Sequence, residues 1–344
     1  MPYNRKACLG SGFFGEVWLE EDVGLNRYCA AKYLDPSRLP AGVAFAEAQM
    51  MLDAEHDNVV RVYSADTESG VPVIRMEYLP AGSVGDRYQG QPAPVGDALH
   101  ILEEACRGVE ALHARGVLHR DLKPANLLIG EGNRIKVSDF GLACEVVNLA
   151  GAPPWGYTEH LPPEALAGSG AIDTPGGDVY ALGVTLYRLL NGDKMMRVLA
   201  TPTADIPGLI TAGKYPDRTK WQPHIHDRLR RVARKALHCD PSRRYQSASE
   251  LRHALEGVRP EMSWVPVTIS GPGMAWEAVP ADGGSQCRAR LSRNGQGKYL
   301  FELERQGPSG LFRASRPDRM TGGTLKEVLP HAADVLQRVA TEGR

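Results

Sequence analysis

The chain has 344 residues, of which 42% are hydrophobic, so it exceeds one typical domain and can bury a large core. Its formal net charge of -1 and isoelectric point near 6.8 exclude a global field that would draw it to nucleic acid or to a membrane surface. Any such attraction has to be local.

The six cysteines are scattered along the chain, and no two of them form a CxxC pair. This spacing argues against a zinc site or a disulfide framework and suits a reducing compartment. The sequence shows neither an N-terminal hydrophobic segment nor a run of about 18 apolar residues. We therefore expect a cytoplasmic protein with no membrane as partner, and no pattern predicts an oligomeric state.

The first motif is the glycine-rich segment Gly10-Ser11-Gly12-Phe13-Phe14-Gly15-Glu16-Val17, which follows a strand-like start. Glycines let the backbone fold over a phosphate without a side chain in the way. Dinucleotide-binding folds use the same spacing, but they place a helix directly after the glycines and an acidic residue about 20 positions on. Here Val17-Trp18-Leu19 continues as a strand and the downstream charged landmark is Lys32. A strand, a turn and a second strand are therefore predicted.

Three regular segments follow the glycines. Lys32 ends the strand-like run Cys29-Ala30-Ala31-Lys32, and Glu47 lies on a helical pattern over residues 45–52. An apolar strand over residues 73–79 comes next. A longer helix is predicted over residues 95–115, where Gly116 stops it. Its apolar face consists of Leu99, Leu102, Ala105, Val109 and Leu112.

This helix leads into a polar run, His119-Arg120-Asp121-Leu122-Lys123-Pro124-Ala125-Asn126, which is set between apolar segments. The flanking apolar residues anchor a tight connection, so Asp121, Lys123 and Asn126 converge on one small volume. A carboxylate that can accept a hydroxyl proton, a fixed positive charge and a neutral oxygen ligand for a hard cation are the parts that phosphoryl transfer needs. Eighteen residues after Asp121 stands Asp139-Phe140-Gly141, preceded by the strand-like Ile135-Lys136-Val137.

In this order and at these spacings the motifs resemble the eukaryotic-type (Hanks-type) protein kinases, in their bacterial form, over roughly residues 5–256, and Lys123 resembles the Ser/Thr branch. The resemblance implies an α+β, bilobal protein kinase fold with a small β-rich N-lobe over residues 1–79 and a large helical C-lobe over residues 80–258. It further implies a Ser/Thr protein kinase that uses ATP and Mg²⁺ and acts on a protein substrate.

The resemblance also assigns roles to individual residues. Catalytic roles go to Asp121, Lys123, Lys32 and Glu47, and the metal ligands are Asn126 and Asp139. Nucleotide binding is assigned to Gly10, Gly12, Gly15, Val17, Ala30, Lys32, Met76, Glu77, Leu79 and Leu128, with Met76 as gatekeeper and the backbone of Glu77 and Leu79 reading the adenine edge. Asp178 is expected to support the polar loop by accepting backbone N–H groups, and Arg244 to pair with Glu164.

One segment departs from the family pattern. Tyr157 stands where Ser/Thr kinases carry a threonine that touches the catalytic Asp and Lys, so either Thr158 takes that role or the role is vacant. No Ser, Thr or Tyr lies between Leu142 and Gly156. We therefore expect an activity that is not switched by phosphorylation earlier in this loop.

The remaining residues, 259–344, match no pattern that we recognise and are predicted to form a C-terminal accessory domain. Short alternating segments near 264–269, 274–279, 287–292, 299–304 and 310–315 predict an antiparallel sheet. A covering helix is predicted with Leu325, Val328, Leu329, Ala332, Leu336 and Val339 on one face. From Ser285 to Met320 there are eight basic and three acidic residues, which leaves open a nucleic-acid surface, although a protein-docking or regulatory module is preferred.

Two alternatives to an active protein kinase stay open. A pseudokinase or ATP-bound scaffold typically loses the counterpart of Lys32, Asp121 or Asp139, and all three are present. Small-molecule phosphotransferases of related fold carry a motif that resembles His-Gly-Asp where this chain has His119-Arg120-Asp121. The protein kinase is therefore the leading hypothesis.

Overall fold

The structure is a computed structural model that describes residues 3–12, 15–37, 55–139, 158–166, 174–197, 204–281 and 283–343. Within these ranges the chain forms an N-terminal sheet, a group of helices and a C-terminal sheet covered by one helix. The predicted α+β architecture, with two lobes and a small α+β domain after them, is confirmed.

Five antiparallel strands form the N-terminal sheet in the order β1-β2-β3-β5-β4. They are β1 (Tyr3–Gly12), β2 (Gly15–Asp22), β3 (Arg27–Leu34), β4 (Val62–Glu68) and β5 (Val71–Glu77). Strand β1 pairs with β2 as far as Gly12 opposite Gly15, so the predicted pair of strands around the glycines is confirmed. Ser69 and Gly70 join β4 to β5 with positive φ at both positions, which matches the twist of the paired strands.

This sheet buries an arginine that the apolar pattern of β5 did not predict. Arg75 is 1% exposed, and its Nε lies 2.9 Å from a carboxylate oxygen of Glu20 on β2. Its Nη2 pairs with Glu68 on β4. A buried charge without such partners would be strongly unfavourable, so the three side chains fix the register of three strands together.

Eight helices of the described residues form the second group. They are α1 (Val84–Tyr88), α2 (Val95–His113), α3 (Pro163–Leu166), α4 (Pro175–Asn191), α5 (Asp193–Met196), α6 (Ile206–Thr211), α7 (Asp227–Ala236) and α8 (Ala248–Glu256). All five predicted apolar residues of α2 are buried, and Gly116 follows with a φ of 73°, so this helix is confirmed. Helix α4 is buried along nearly its whole length and packs against α2 and α7.

Helix α2 comes unusually close to the strand β7 (Ile135–Val137), which pairs with β6 (Leu127–Ile129). A Cβ atom at Gly108 would lie 2.3 Å from the carbonyl oxygen of Asn58 and 2.7 Å from a methyl group of Val137. The amide of Val137 itself donates to that same carbonyl at 2.9 Å. Only glycine allows the helix to lie this close to the strand.

The C-terminal sheet has the order β12-β11-β10-β9-β8, and β13 also pairs with β11. Its strands are β8 (Met262–Val267), β9 (Gly273–Pro280), β10 (Cys287–Arg293), β11 (Tyr299–Gln306), β12 (Phe312–Ala314) and β13 (Met320–Gly323), and helix α9 spans Leu325–Glu342. Trp264, Trp276 and Phe301 form the core beneath α9 with Val328 and Leu336.

The predicted sheet with one helix is thus confirmed, with two corrections. Strand β13 was not predicted, because Met320-Thr321-Gly322-Gly323 has no apolar alternation, and its place is set by pairing with β11. Leu325 was placed on the apolar face of α9, but it is 36% exposed. It is the first residue of the helix, and Val335 is buried in the core instead.

The C-terminal domain rests on the helical group through specific contacts. The Ser263 hydroxyl accepts a hydrogen bond from the amide of Gly96 at 2.7 Å, which satisfies a free N–H group in the first turn of α2. The Gln337 side chain on α9 donates to the carbonyl of Pro223 at 3.4 Å. Among the described residues no helix is both long enough and apolar enough to cross a membrane.

Candidate active site

A cleft of about 640 Å³ opens between the N-terminal sheet and the helices. Of the residues to which the sequence assigned a role in catalysis, nucleotide binding or metal binding, every one except Glu47 lines this cleft. They are Gly10, Gly12, Gly15, Val17, Ala30, Lys32, Met76, Glu77, Leu79, Asp121, Lys123, Asn126, Leu128 and Asp139. Glu47 lies outside the described residues. The structure therefore brings together residues that lie more than a hundred positions apart in the chain.

The floor of the cleft carries the polar cluster predicted from the loop after α2. The Lys123 ammonium lies 2.7 Å from a carboxylate oxygen of Asp121. The amide nitrogen of Asn126 donates to the same oxygen at 2.8 Å and to the carbonyl of Asp121 at 2.7 Å. Pro124–Asn126 forms a single 3-10 turn, which places Asn126 back against Asp121. Asp121 is thus held in one orientation by two neighbours.

Asp178 at the start of α4 holds this loop from behind. Its carboxylate accepts hydrogen bonds from the backbone amides of His119 at 2.9 Å and Arg120 at 2.8 Å, and from His113 Nε2 at 2.7 Å. Burial raises the pKa of Asp178, but the hydrogen bonds from His113 and from the backbone amide of His119 help to outweigh it, and the pKa is lowered. The predicted supporting role of Asp178 is confirmed.

His119 and Ser138 connect the loop to the strand that presents Asp139. Burial lowers the pKa of His119, so the ring is neutral and its Nε2 donates to the carbonyl of Ser138 at 2.9 Å. Its Nδ1 accepts from the amide of Asp121 at 3.2 Å. The Ser138 amide in turn donates to the carbonyl of Asn126 at 3.0 Å. Ser138 was not predicted from the sequence, since a serine before Asp-Phe-Gly carries no distinctive signal.

Lys32 faces Asp139 across the cleft, and the ammonium and carboxylate form a direct ion pair. Burial raises the pKa of Asp139, but the Lys32 charge outweighs it and holds the pKa below its usual value. Asp139 is therefore ionised at neutral pH. Its φ of 57° lies in the left-handed region, which turns the chain sharply after β7.

The glycines form the roof of the cleft. A Cβ atom at Gly15 would lie 1.9 Å from the carbonyl oxygen of Tyr33, and the residue has a φ of 142°. A side chain at this position would push β2 away from β3, the strand that carries Lys32. Ala30 on β3 is 8% exposed at the back of the roof.

The connection between the two lobes forms the inner wall. Met76 is 6% exposed at the end of β5. The Glu77 carboxylate accepts from Lys136 Nζ at 2.7 Å and from the amide of Arg61 at 2.7 Å, so this side chain ties the connection to β7. Ser83 and Asp86 also line the cleft and cap α1 reciprocally. This pair was not predicted from the sequence, although Ser83 followed by an acidic residue three positions on is a recognised capping signal.

The predicted pair of Arg244 and Glu164 is confirmed. Both terminal nitrogens of Arg244 lie 2.6 Å from the two oxygens of Glu164. Arg244 is 2% exposed and also donates to the carbonyls of Gly176, His238 and Cys239. The pair therefore joins α3, the start of α4 and the turn before α8.

Thr158, one of the two residues considered for the contact with Asp121 and Lys123, is 8% exposed. Next to it, Glu159 accepts two hydrogen bonds from Arg197, at 3.1 and 3.2 Å, which anchor this segment to the region after α5. Tyr157 and the stretch from Phe140 lie outside the described residues, so the vacant-role alternative stays a prediction.

The donor set of the cleft fits a nucleotide with a divalent cation. Asp139 offers a carboxylate and Asn126 an amide oxygen, which are hard ligands of the kind that Mg²⁺ prefers. Lys32 and Lys123 supply positive charge for phosphates, and Gly10 and Gly12 leave open space where a Cβ atom would stand. Apolar Val17, Ala30 and Leu128 form walls suited to a flat aromatic ring.

Comparison with known proteins agrees with this geometry. The family model described as "Protein kinase domain" matches residues 3–255. The chain belongs to the protein kinase family. The match ends just before the C-terminal domain.

The relatives include bacterial proteins named serine/threonine-protein kinases. PknB of Mycobacterium leprae is 34% identical over 263 residues, which cover 73% of this chain and 42% of that protein. Pkn2 of Myxococcus xanthus is 32% identical over 297 residues, or 80% of this chain and 35% of that protein. PrkC of Bacillus subtilis is 28% identical over 257 residues, or 72% and 39%. The chain spans less than half the length of these relatives, and the predicted resemblance to bacterial-type kinases is confirmed.

Proposed function

We propose that this chain is an ATP-dependent Ser/Thr protein kinase that transfers the γ-phosphate of ATP to hydroxyl groups of protein substrates. The observation that carries the proposal is the placement of Asp121, held by Lys123 and Asn126, in one cleft with the ion pair of Lys32 and Asp139. The names of the relatives support the same activity.

The residues divide the chemistry between them. Asp121 orients the attacking hydroxyl and accepts its proton, because Lys123 and Asn126 both bind one of its carboxylate oxygens and leave the other for the hydroxyl. Lys123 neutralises charge on the transferring group, and Lys32 holds the phosphates that precede it. Both hydrogen bonds of Asn126 use its nitrogen, which leaves the amide oxygen as a metal ligand beside Asp139. Bound ATP would supply the transferred group and Mg²⁺ would neutralise phosphate charge.

The direct pair of Lys32 and Asp139 suits this role. In the structure the Lys32 ammonium and the Asp139 carboxylate compensate each other's charge. With a magnesium–nucleotide complex bound, the carboxylate would hold the cation and the ammonium would hold the phosphates, so both charges would be compensated with and without nucleotide. Glu47, on a segment outside the described residues, is proposed as the second partner of Lys32.

Phosphate transfer from radiolabelled ATP to a generic protein substrate tests the proposal directly. We expect transfer by the parent, with label on Ser or Thr by phosphoamino-acid analysis. Asp121→Asn should lower kcat by about 10²-fold or more while nucleotide binding is retained, as expected for loss of a general base. Lys32→Ala should weaken both binding and transfer. Asp57→Asn removes a carboxylate that is 79% exposed and does not line the cleft, and it should behave as the parent does.

The scaffold alternative makes a different prediction. A parent chain that binds ATP but transfers no label, under conditions in which a known kinase is active, would support the scaffold and overturn the proposal. Cytoplasmic location, where ATP and reduced thiols are both found, stays a prediction.

The arrangement of charges on the C-terminal domain favours a protein over a nucleic acid as the partner of this domain. Arg288 pairs with Glu277 on the neighbouring strand at 3.1 Å, and Arg319 pairs with Glu302 at 3.1 Å. Glu277 lies outside the basic stretch whose charge suggested nucleic acid. Arginines neutralised in this way offer less to a phosphate backbone.

A further inference from the structure

A second cavity, of about 80 Å³, lies in the seam between the kinase domain and the C-terminal domain. Its walls come from the start of α2, the first turn of α7, the segment after α8, strand β8 and the end of α9. It is several times larger than the roughly 10–15 Å³ that one water molecule requires. The nucleotide cleft shares none of its lining residues.

The ionisable groups that line this cavity are all basic. They are His224, His226, Arg228 and Arg259, and the lining contains no carboxylate. Arg228 and Leu229 belong to the first turn of α7, a ten-residue helix whose dipole favours a negative charge. The amide of Arg228 already donates to His226 Nδ1 at 3.2 Å, so only the other amides of this turn can donate to a ligand. The nearest acidic residue on this helix, Asp227, is 64% exposed and its carboxylate lies 3.3 Å from Arg230.

His224 is the unusual member of the lining. It is 1% exposed, and neither ring nitrogen has a hydrogen-bond partner among the described residues. Buried polar atoms are nearly always paired, and an unpaired one is costly. Burial and the charge of Arg230 lower the pKa of His224 to about 3, so the ring is neutral at pH 7 and sits in a positive field. It offers one N–H donor to the cavity.

The opposite wall does not compete for these donors. The end of α9 places backbone carbonyls nearby, but Ala340 already accepts from the amide of Glu261 at 2.7 Å, and Val339 accepts from Gly343 at 3.0 Å. The hydroxyl of Thr341 donates within its own helix, to Gln337. The seam therefore presents donors and positive charge with few unsatisfied acceptors.

We propose that this cavity binds a small oxyanion of the size of inorganic phosphate, held by His224, the first turn of α7, Arg228 and Arg259. Positive charge, N–H donors at a helix N-terminus and a buried unpaired imidazole together form a complement to such a group. Since the walls belong to both domains, a bound anion fastens the C-terminal domain to the kinase domain. The proposal does not depend on phosphoryl transfer.

Binding of ³²P-labelled inorganic phosphate to the full chain, measured by equilibrium dialysis at constant ionic strength, tests the site. Lys32→Ala serves as background, because it removes a phosphate ligand of the nucleotide cleft. We expect one saturable phosphate per chain and a rise in Tm on binding. The double variant Arg228→Gln, Arg259→Gln should lose both, and since both side chains are exposed it should still fold.

The matched control, Arg243→Gln with Arg293→Gln, removes two exposed arginines elsewhere and should retain both effects. Phosphate also stabilises proteins generally by exclusion from their surface, so the decisive quantity is the difference in Tm shift between the two double variants. Acetate in place of phosphate distinguishes a carboxylate site from a phosphate site. No saturable phosphate binding by the Lys32→Ala chain, or equal binding by both double variants, would overturn the proposal.

Discussion

Replacing Asp178 by Asn tests how the polar loop is held, because it preserves shape and removes one acceptor. The carboxylate is 1% exposed and accepts three hydrogen bonds, from His113 and from the amides of His119 and Arg120. An amide has only one oxygen, so its NH₂ group must face at least one of these donors. A hydrogen bond to a charged group contributes about 1.5–3 kcal/mol, and a buried unsatisfied donor costs about 1–3 kcal/mol. We therefore expect the free energy of unfolding to fall by about 3–5 kcal/mol.

The same substitution should affect catalysis more than nucleotide binding. The two amides directly precede Asp121, and small displacements of a catalytic group can lower rates by about 10²-fold. We expect kcat to fall by about 10–100-fold, with a smaller change in KM for ATP, because Asp178 contacts neither Lys32 nor Asp139. Urea unfolding followed by tryptophan fluorescence and steady-state kinetics measure the two effects.

Asp193→Asn is the matched control for this experiment. Asp193 is a partly exposed carboxylate that pairs with Arg188 and touches no residue of the polar loop. It should lose less stability and keep its kcat. Equal losses of kcat in the two variants, or a destabilisation by Asp178→Asn below about 1 kcal/mol, would show that the three hydrogen bonds do not position the loop.

Three further tests probe other parts of the structure. Glu164→Gln and Arg244→Met should each cost about 3–5 kcal/mol, because each leaves a buried charge unpaired, and the double variant should cost clearly less than their sum in urea unfolding. The pKa of His160 is lowered to about 3 by burial and nearby positive charge, so only the unfolded state gains its proton below about pH 6.5. Stability then falls as pH falls, by about 1.4 kcal/mol per pH unit, and His160→Gln should reduce this slope by that amount between about pH 6 and 4.5. Ser263→Ala removes the acceptor for the Gly96 amide and should cost about 1 kcal/mol, measured by the same unfolding assay.

One experimental result would contradict each of these predictions. Additive costs for Glu164 and Arg244, within about 0.5 kcal/mol, would mean that the two charges do not interact. An unchanged pH slope in His160→Gln would place its titration outside this window. Ser292→Ala, on the same sheet and without a hydrogen bond to the kinase domain among the described residues, should be near neutral, and an equal loss there would remove the capping explanation for Ser263.

The parts of the site that the sequence predicted are those in which residue type and chemistry coincide. Asp121, Lys123 and Asn126 were expected to converge because apolar residues flank their loop, and the Asp178 contact followed from the need to satisfy a buried carboxylate. The apolar face of α2 was also predicted, since its apolar residues recur with the period of a helix. In these places the residues near one another in the sequence were sufficient for the prediction.

The parts that were missed depend on contacts between distant segments. The sequence around Arg75 does not predict that Glu20 and Glu68 pair with it. Strand β13 has almost no apolar residues and forms because β11 offers it an edge. The short helices α5 and α6 were not predicted, and Ser263 caps a helix 167 positions away. Such interactions become visible only when the chain is folded.

Gly108 has a consequence for how this chain can vary. The helix that leads to the polar loop and the strand that presents Asp139 meet there with no room for a Cβ atom. A substitution at this position therefore acts on the spacing between the proposed base and the proposed metal ligand, although it lies in neither segment. A smaller side chain at 137 would relieve only one of the two contacts, because the other is made by the backbone carbonyl of residue 58, so a larger residue at 108 requires the helix to move away from the strand. A single hydrogen atom in the middle of a helix thus sets an evolutionary constraint on the geometry of the cleft.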